Sequence, residues 1–161
     1  LEVILVLSIL TILTGSIFSL LFFGKNTYSK GSNQINLQSD VFLASNYLTE
    51  ETRVGTEVTL LQQVPEDFDI QYQYFFLDDN GKLIHWQVDQ GQIQKRQVTD
   101  NLKSLAFTKS TDTNNLLQVS ITGEYRGKNF DVITEILILN ERDIEGENGV
   151  ALRFKSEKDN N

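Results

Sequence analysis

The first 23 residues, LEVILVLSILTILTGSIFSLLFF (1–23), decide the fold. Glu2 is the only charged residue in this stretch, and the next charge is Lys25. As an α-helix, the uncharged run from Val3 to Phe23 would extend about 31 Å, close to the hydrocarbon thickness of a bilayer. A secretory signal peptide has a shorter apolar part, usually about 7–15 residues, which follows a basic region. The length therefore predicts a membrane-spanning helix rather than a signal peptide or the buried helix of a soluble protein.

A second apolar pattern with helical spacing follows a polar patch at residues 24–34. Leu37, Val41, Ala44 and Leu48 recur at intervals of three or four residues, which places them on one helical face. The pattern predicts an amphipathic helix over about residues 35–53.

The two helical patterns are separated only by the polar patch. Gly24 and Gly31 lower the helix propensity there by about 1 kcal/mol each relative to Ala. We predict a single helix of about 50 residues that is weakened in its middle and ends near Gly55. The alternative is two helices joined by a loop at 24–34.

Beyond Gly55 the pattern changes to that of β-strands. The predicted strands cover 70–77, 82–88, 93–98, the start at 105–110, 116–125 and 130–139. Asp78-Asp79-Asn80-Gly81 is a turn signal, and residues 126–129 join the two clearest strands into a hairpin. The segment 99–105 is ambiguous between a short helix and a turn, and residues 150–154 predict an edge strand.

Together these elements predict an α+β protein in which a long N-terminal helix packs on an antiparallel β-sheet. The stripe of Leu37, Val41, Ala44 and Leu48 can cover the apolar face that a half-polar sheet must bury. The predicted segments are 1–24, the membrane-spanning half of the helix; 25–54, the amphipathic half; 55–140, the sheet domain; and 141–161, a charged C-terminal tail. The last residues, 155–161, are expected to be solvated.

Charge and composition exclude several functional classes. The formal charge is −8, and Glu2, Lys25 and Lys30 give the first 30 residues +1, which leaves −9 for the rest. An acidic body repels phosphate backbones, so we expect no direct binding of nucleic acid. The sequence contains no cysteine, which excludes disulfides, thiolate zinc sites and thiol nucleophiles.

Signals for catalysis or for a cofactor are weak. The single histidine, His85, lies in a predicted strand, where a packing or surface role is the usual one. No glycine-rich phosphate loop or serine nucleophile elbow occurs. Asp143, Glu145 and Glu147 alternate in a C-terminal loop, and alternating oxygen ligands suit calcium, but the spacing matches no EF-hand. We interpret this loop as a solvated acidic segment, and we expect neither an enzyme nor a bound cofactor.

The N-terminal stretch LEVILVLSILTILTG (1–15) is similar to the start of mature type IV pilins and pseudopilins, which form an apolar helix with a glutamate near its beginning. The segments QSDVFLASNYLTEETR (38–53) and LLQVSITGEYRGKNFDVITEILILNERD (116–143) resemble the end of the long helix and the closing hairpin of minor pilins of the W and J type. The resemblance covers about half of the chain. It implies the pilin fold and a structural role as a minor pilin or pseudopilin.

Glu2 matches the glutamate of that family. The resemblance implies that its carboxylate pairs, inside a filament, with the N-terminal amine of an adjacent subunit or of its own chain. In the family, a prepilin peptidase removes a short basic leader and the residue exposed is methylated; the pattern would place three residues ahead of Leu1. Small polar residues offer close helix packing or hydroxyl bonding to the preceding turn: Ser8, Thr11, Thr14, Gly15, Ser16 and Ser19.

The resemblance also implies partners and a location. The partners are other major and minor pilins or pseudopilins, the prepilin peptidase, an inner-membrane assembly platform and membrane lipid. The protein would cross the cell membrane once, with its C-terminal domain extracytoplasmic, before it enters a surface or periplasmic filament. The apolar helix lacks the proline, and the chain lacks the disulfide, that many major pilins carry, which favours a minor subunit. The alternative from another class is a single-pass anchored extracytoplasmic binding domain unrelated to filaments.

Overall fold

A computed structural model describes residues 1–89 and 91–156. Within this part of the chain, one α-helix precedes nine β-strands. The elements are α1 (Glu2–Thr52), β1 (Thr56–Leu61), β2 (Gln73–Leu77), β3 (Leu83–Asp89), β4 (Gln92–Thr99), β5 (Leu102–Lys109), β6 (Leu116–Tyr125), β7 (Lys128–Leu137), β8 (Asn148–Gly149) and β9 (Ala151–Lys155). The chain forms two compact units, residues 1–36 and 37–161. The predicted α+β class with a long apolar N-terminal helix is confirmed.

The helix α1 is continuous over 51 residues. The prediction of a single helix is therefore confirmed, and the alternative of a loop at 24–34 is wrong. Gly24 and Gly31 have open space around them, so no side chain or backbone from elsewhere forces a break at either residue. The cost of a glycine in a helix is small beside the cost of nucleating a second helix after a break, so one continuous helix is favoured.

The strands form two antiparallel sheets rather than the one meandering sheet that the sequence predicts. Sheet A has the order β1-β9-β2-β3-β4, and sheet B has the order β7-β6-β5-β8. The chain leaves sheet A after β4 and enters sheet B at Leu102, directly after Asn101, which has a φ of 61°. Asparagine tolerates this left-handed conformation better than most residues, so it suits the change of direction. The ambiguous segment 99–105 is thus neither helix nor a simple turn, because β5 begins within it.

The C-terminal segment differs most from the prediction. Residues 150–154 predict an edge strand, but β9 lies between β1 and β2 in the interior of sheet A. Leu152 and Phe154 are fully buried, whereas Arg153 and Lys155 remain partly exposed on the other face. Charged residues alternate with apolar ones in this segment, and that pattern is typical of an edge strand, so the sequence did not predict an interior position. Residues 157–161, the end of the predicted charged tail, lie outside the described residues.

The hairpin predicted at residues 116–139 is confirmed. β6 and β7 pair in continuous register from Leu116↔Leu137 to Tyr125↔Lys128. The turn residues Arg126 and Gly127 have φ angles of 50° and 76°. Two consecutive positive φ angles match the right-handed twist of an antiparallel pair, which is why such two-residue turns are favoured in hairpins.

Two apolar clusters hold the second unit together. The larger cluster lies between α1 and the two sheets and includes Val41, Ala44, Leu48, Phe75, Phe107, Leu117, Ile136, Leu152 and Phe154. The smaller cluster includes Tyr74, Phe76, Ile84, Trp86 and Ala151. The ring of Phe68, in the β1–β2 connection, stacks on Trp86 with centroids 4.9 Å apart and covers this second cluster. In sheet A, β2 and the first half of β3 are therefore buried on both faces, whereas most of β4 is exposed.

Gly123 lets α1 approach sheet B closely. A Cβ atom at this position would lie 2.7 Å from Leu37 Cδ1 and 2.7 Å from Val41 Cγ2. Both contacts are far shorter than normal van der Waals separation, so the helix or its side chains must shift to admit a methyl group.

We expect Gly123→Ala to lower the free energy of unfolding by about 1–2 kcal/mol through overpacking. Ser120→Ala, on the opposite face of β6, is the matched control and should change it by no more than about 0.5 kcal/mol. Urea denaturation of both variants measures the difference, and equal midpoints would show that the helix can move away from Gly123 without cost.

Candidate functional site

The apolar half of α1 exposes almost all of its side chains. Leu5, Leu10 and Phe18 keep 59%, 58% and 68% of their surface accessible. The helix is long and apolar enough to cross a membrane by length and composition, with a mean hydropathy of 2.4 in its most apolar window, none of which is buried. An exposed apolar surface of this extent requires a non-aqueous environment or a protein partner.

Four hydroxyl groups in this half of α1 form hydrogen bonds within the helix. Ser8, Thr11, Thr14 and Ser16 each donate a hydrogen bond to the carbonyl oxygen four residues earlier, at 2.8, 2.5, 2.7 and 2.8 Å. These bonds correspond to the second of the two roles weighed for the small polar residues. A hydroxyl that is already bonded to its own backbone can enter hydrocarbon without leaving a polar group unpaired.

Glu2 lies in the first turn of α1 and is exposed. The helix dipole favours a negative charge at this end. Among the described residues, no cation lies within ion-pair distance of its carboxylate. The single chain thus presents an ionisable acid at the beginning of an apolar surface.

The predicted stripe on the second half of α1 is buried. Leu37 is 4% exposed, and Val41, Ala44 and Leu48 are fully buried. Leu37 and Val41 face Gly123 of β6, while Leu48 belongs to the same cluster as Phe75 and Phe154 of sheet A. The four residues therefore join α1 to both sheets.

A polar network that sequence reasoning missed also joins α1 to sheet A. His85 is 1% exposed, and its two ring nitrogens lie 2.9 Å from the Tyr47 hydroxyl and 2.9 Å from Gln73 Oε1. The imidazole stacks on Phe75 with centroids 4.3 Å apart. Burial raises the pKa of the Tyr47 hydroxyl, partly offset by the nearby positive charge of Arg96. His85 thus packs on Phe75 and lies within hydrogen-bonding distance of side chains from α1 and β2, which links the helix to sheet A.

A cleft of about 300 Å³ lies beside the irregular pairing of β1 with β9. Glu57, with a φ of 52°, points its carboxylate oxygens at Lys155 Nζ (2.6 Å) and at the Tyr72 hydroxyl (2.7 Å). The Arg153 guanidinium lies 4.5 Å from the centre of the Tyr72 ring. Hydrogen bonds from Lys155 and Tyr72 lower the pKa of Glu57, and the same carboxylate raises the pKa of Lys155 and of Tyr72.

The acidic C-terminal loop lies along this cleft. Asp143 forms an ion pair with Lys109, and Glu145 accepts a hydrogen bond of 3.1 Å from the Thr59 hydroxyl. Over residues 1–89 and 91–156, no group of three or more metal-ligating side chains is arranged to hold an ion. In this loop, the Asp143 carboxylate pairs with a lysine of β5, and the Glu145 carboxylate accepts a hydrogen bond from a hydroxyl of β1.

The bonds of Glu57 predict a dependence of stability on pH. Its pKa is lowered from 4.5 by folding, so the unfolded chain takes up the proton first as the pH falls, and acid favours unfolding. The stabilisation is present above about pH 4.5 and is lost as the pH falls through the folded-state value. We expect Glu57→Gln to be less stable than the parent at pH 7 and nearly equal to it at strongly acidic pH.

Urea midpoints measured from neutral to acidic pH test this expectation. Glu135→Gln, at an exposed position of β7, is the matched control and should follow the parent at every pH. A constant difference between Glu57→Gln and the parent would show that ionisation of Glu57 does not contribute.

No protein family, curated protein or solved structure matched the chain in the three comparisons made. The exposed apolar half of α1, with Glu2 in its first turn, and the buried stripe on its second half are the features that bear on function.

Proposed function

We propose that the protein is a structural minor subunit, a minor pilin or pseudopilin, of a type IV pilus-like filament. One observation carries the proposal. A single continuous helix presents an exposed apolar surface with an acid in its first turn, and one face of the second half of the same helix is buried against β-sheets. Such a chain carries its folded domain and its assembly segment on one element, so the apolar half can leave the bilayer and enter a helical bundle.

Glu2 supplies the assembly signal in this proposal. An ionised carboxylate in an apolar environment is costly and persists where it has a partner or a function. In the free subunit, Glu2 lies at the membrane interface, where water solvates it. In the filament, the N-terminal amine of an adjacent subunit replaces that water. Sliding one helix past its neighbour would separate both charges, so the pair sets the axial register.

The proposed partners follow from these roles. A prepilin peptidase prepares the N-terminus, an inner-membrane platform delivers the subunit, and other pilins or pseudopilins receive it. The domain formed by residues 37–156 is extracytoplasmic and lies outside the helical core of the filament.

Processing and fractionation test the proposal together. The full-length precursor is produced with its natural upstream residues in cells that contain or lack a prepilin peptidase, and sheared filaments are separated from membranes. We expect peptidase-dependent shortening and recovery of the chain in the filament fraction. A chain that keeps its upstream residues and stays wholly in the membrane would support the alternative of an anchored binding domain.

A further inference from the structure

A shallow hollow on the surface of α1 combines apolar and basic groups. It is lined by Phe18, Ser19, Leu21, Phe22 and Lys25. In an α-helix, Phe18, Phe22 and Lys25 lie within about 60° of one another around the axis. Phe18 and Phe22 expose 68% and 70% of their surface. The hollow therefore runs along the helix from apolar rings to an ammonium group.

The position of Lys25 along the helix matches the edge of a bilayer. The uncharged run ends at Phe23, two residues or about 3 Å before Lys25. Its ammonium group can extend outward to the lipid phosphates while the side-chain stem stays on apolar surface. Tyr28 lies three residues further, about 60° from Lys25 around the axis. It is 79% exposed and belongs to a residue type that concentrates at membrane interfaces.

From this arrangement we propose that the hollow binds an anionic phospholipid. An acyl chain lies against Phe18, Leu21 and Phe22, and the phosphate of the headgroup accepts hydrogen bonds from Lys25 and from the Tyr28 hydroxyl. Charge favours this occupant, because Lys25 and Lys30 are the only cations in α1 and no described acid pairs with Lys25. The inference rests on the membrane-spanning part of the proposed function.

Lys30 provides a matched control for Lys25. It carries the same charge, but it lies about 140° away from Lys25 around the helix. A general attraction to an anionic surface would use both lysines equally. Of the two lysines, a site on the hollow depends only on Lys25.

Quenching of tryptophan by brominated lipid measures which lipid touches the hollow. Phe22→Trp places an indole in the hollow, and Leu20→Trp places one about 160° away, on a side chain that is 71% exposed. The parent chain, whose sole tryptophan is Trp86, supplies the background signal. Each full chain is reconstituted in vesicles of phosphatidylcholine and phosphatidylglycerol at a fixed ratio, with the bromine on one lipid or the other.

We expect brominated phosphatidylglycerol to quench the Phe22→Trp chain roughly threefold more strongly than its share of the bilayer accounts for. The Leu20→Trp chain should show no such excess. Lys25→Gln, added to Phe22→Trp, should abolish the excess, and Lys30→Gln should retain it.

Three outcomes would overturn the inference. Equal loss in the two lysine variants would reduce the effect to general electrostatics. Weak quenching of the Phe22→Trp chain by both lipids, while the Leu20→Trp chain is quenched strongly by both, would assign this face to another helix. Absence of quenching by either lipid at both tryptophan positions would show that the helix does not enter the bilayer, and it would also contradict the membrane-spanning part of the proposed function.

Discussion

Replacement of Glu2 by glutamine is expected to leave the chain in the membrane but to lower its recovery in filaments by at least about tenfold. Glutamine keeps the size and most of the hydrogen-bonding capacity of glutamate but removes the charge. The neighbouring amine would then be enclosed in an apolar bundle without a counter-ion, which costs several times the energy of a tenfold change. The apolar run from Val3 to Phe23 is unchanged, so insertion into the bilayer should persist.

Two control variants define what the Glu2 experiment measures. Glu2→Asp keeps the charge on a shorter side chain and should restore part of the incorporation. Glu50→Gln removes one charge from an exposed position in the other half of α1 and should have no effect. Quantification of the chain in sheared filaments and in membranes gives the ratio for each variant. Normal incorporation of Glu2→Gln would remove the charge pair from the account.

Truncation of Leu48 is expected to have the largest effect on stability. Leu48 is fully buried, and its truncation leaves a cavity in the apolar cluster that also contains Phe75 and Phe154. We expect Leu48→Ala to lower the free energy of unfolding by about 3 kcal/mol, from lost apolar burial and from the cavity together.

Leu43→Ala is the matched control for Leu48→Ala. It removes the same atoms from the same helix at a side chain that is 51% exposed, so we expect a change of no more than about 0.5 kcal/mol. Denaturant unfolding of the full chain in detergent, monitored by Trp86 fluorescence, compares the two. Equal losses would mean that burial on the helix stripe does not decide the stability of the domain.

The helix and the β6–β7 hairpin could be predicted because their signals are local. An uncharged run and a stripe repeated every three or four residues specify α1 from neighbours in sequence. Alternation over residues 116–125 predicts β6 with the observed bounds, and the turn chemistry at Arg126-Gly127 fixes the register of the hairpin. β7 begins and ends two residues before the predicted strand, which is within the usual uncertainty of element ends.

The division into two sheets depends on contacts that no local pattern reveals. β9 lies between β1 and β2 in the sheet, and both of these partner strands are far from it in sequence. β8 is only two residues long and pairs with β5. Val150, which lies between β8 and β9, donates a hydrogen bond of 2.9 Å to the carbonyl oxygen of Leu61. A short charged segment therefore passes from one sheet to the other, and composition alone made it resemble a tail.

The residues of the candidate site likewise include some that the local sequence reveals and others that depend on distant partners. Glu2 stands out in the sequence because it is a single acid in an apolar run, and the stripe of Leu37, Val41, Ala44 and Leu48 stands out because of its period. Tyr47 and Glu57 could not be found, because their partners, His85 and Lys155, are 38 and 98 residues away. The positive φ of Glu57 also has no signature in the neighbouring residues.

Site-specific photo-crosslinking from the apolar half of α1 tests the central claim most directly. A photoreactive residue at Ile12, which is 70% exposed in the single chain, reports what covers this surface in cells, and one at Ile70, which is 69% exposed in the β1–β2 connection, serves as the control position. We predict that Ile12 forms adducts with the apolar helices of other filament subunits and that these adducts sediment with sheared filaments. Adducts with lipid alone, on a chain that remains a membrane-embedded monomer, would contradict the account.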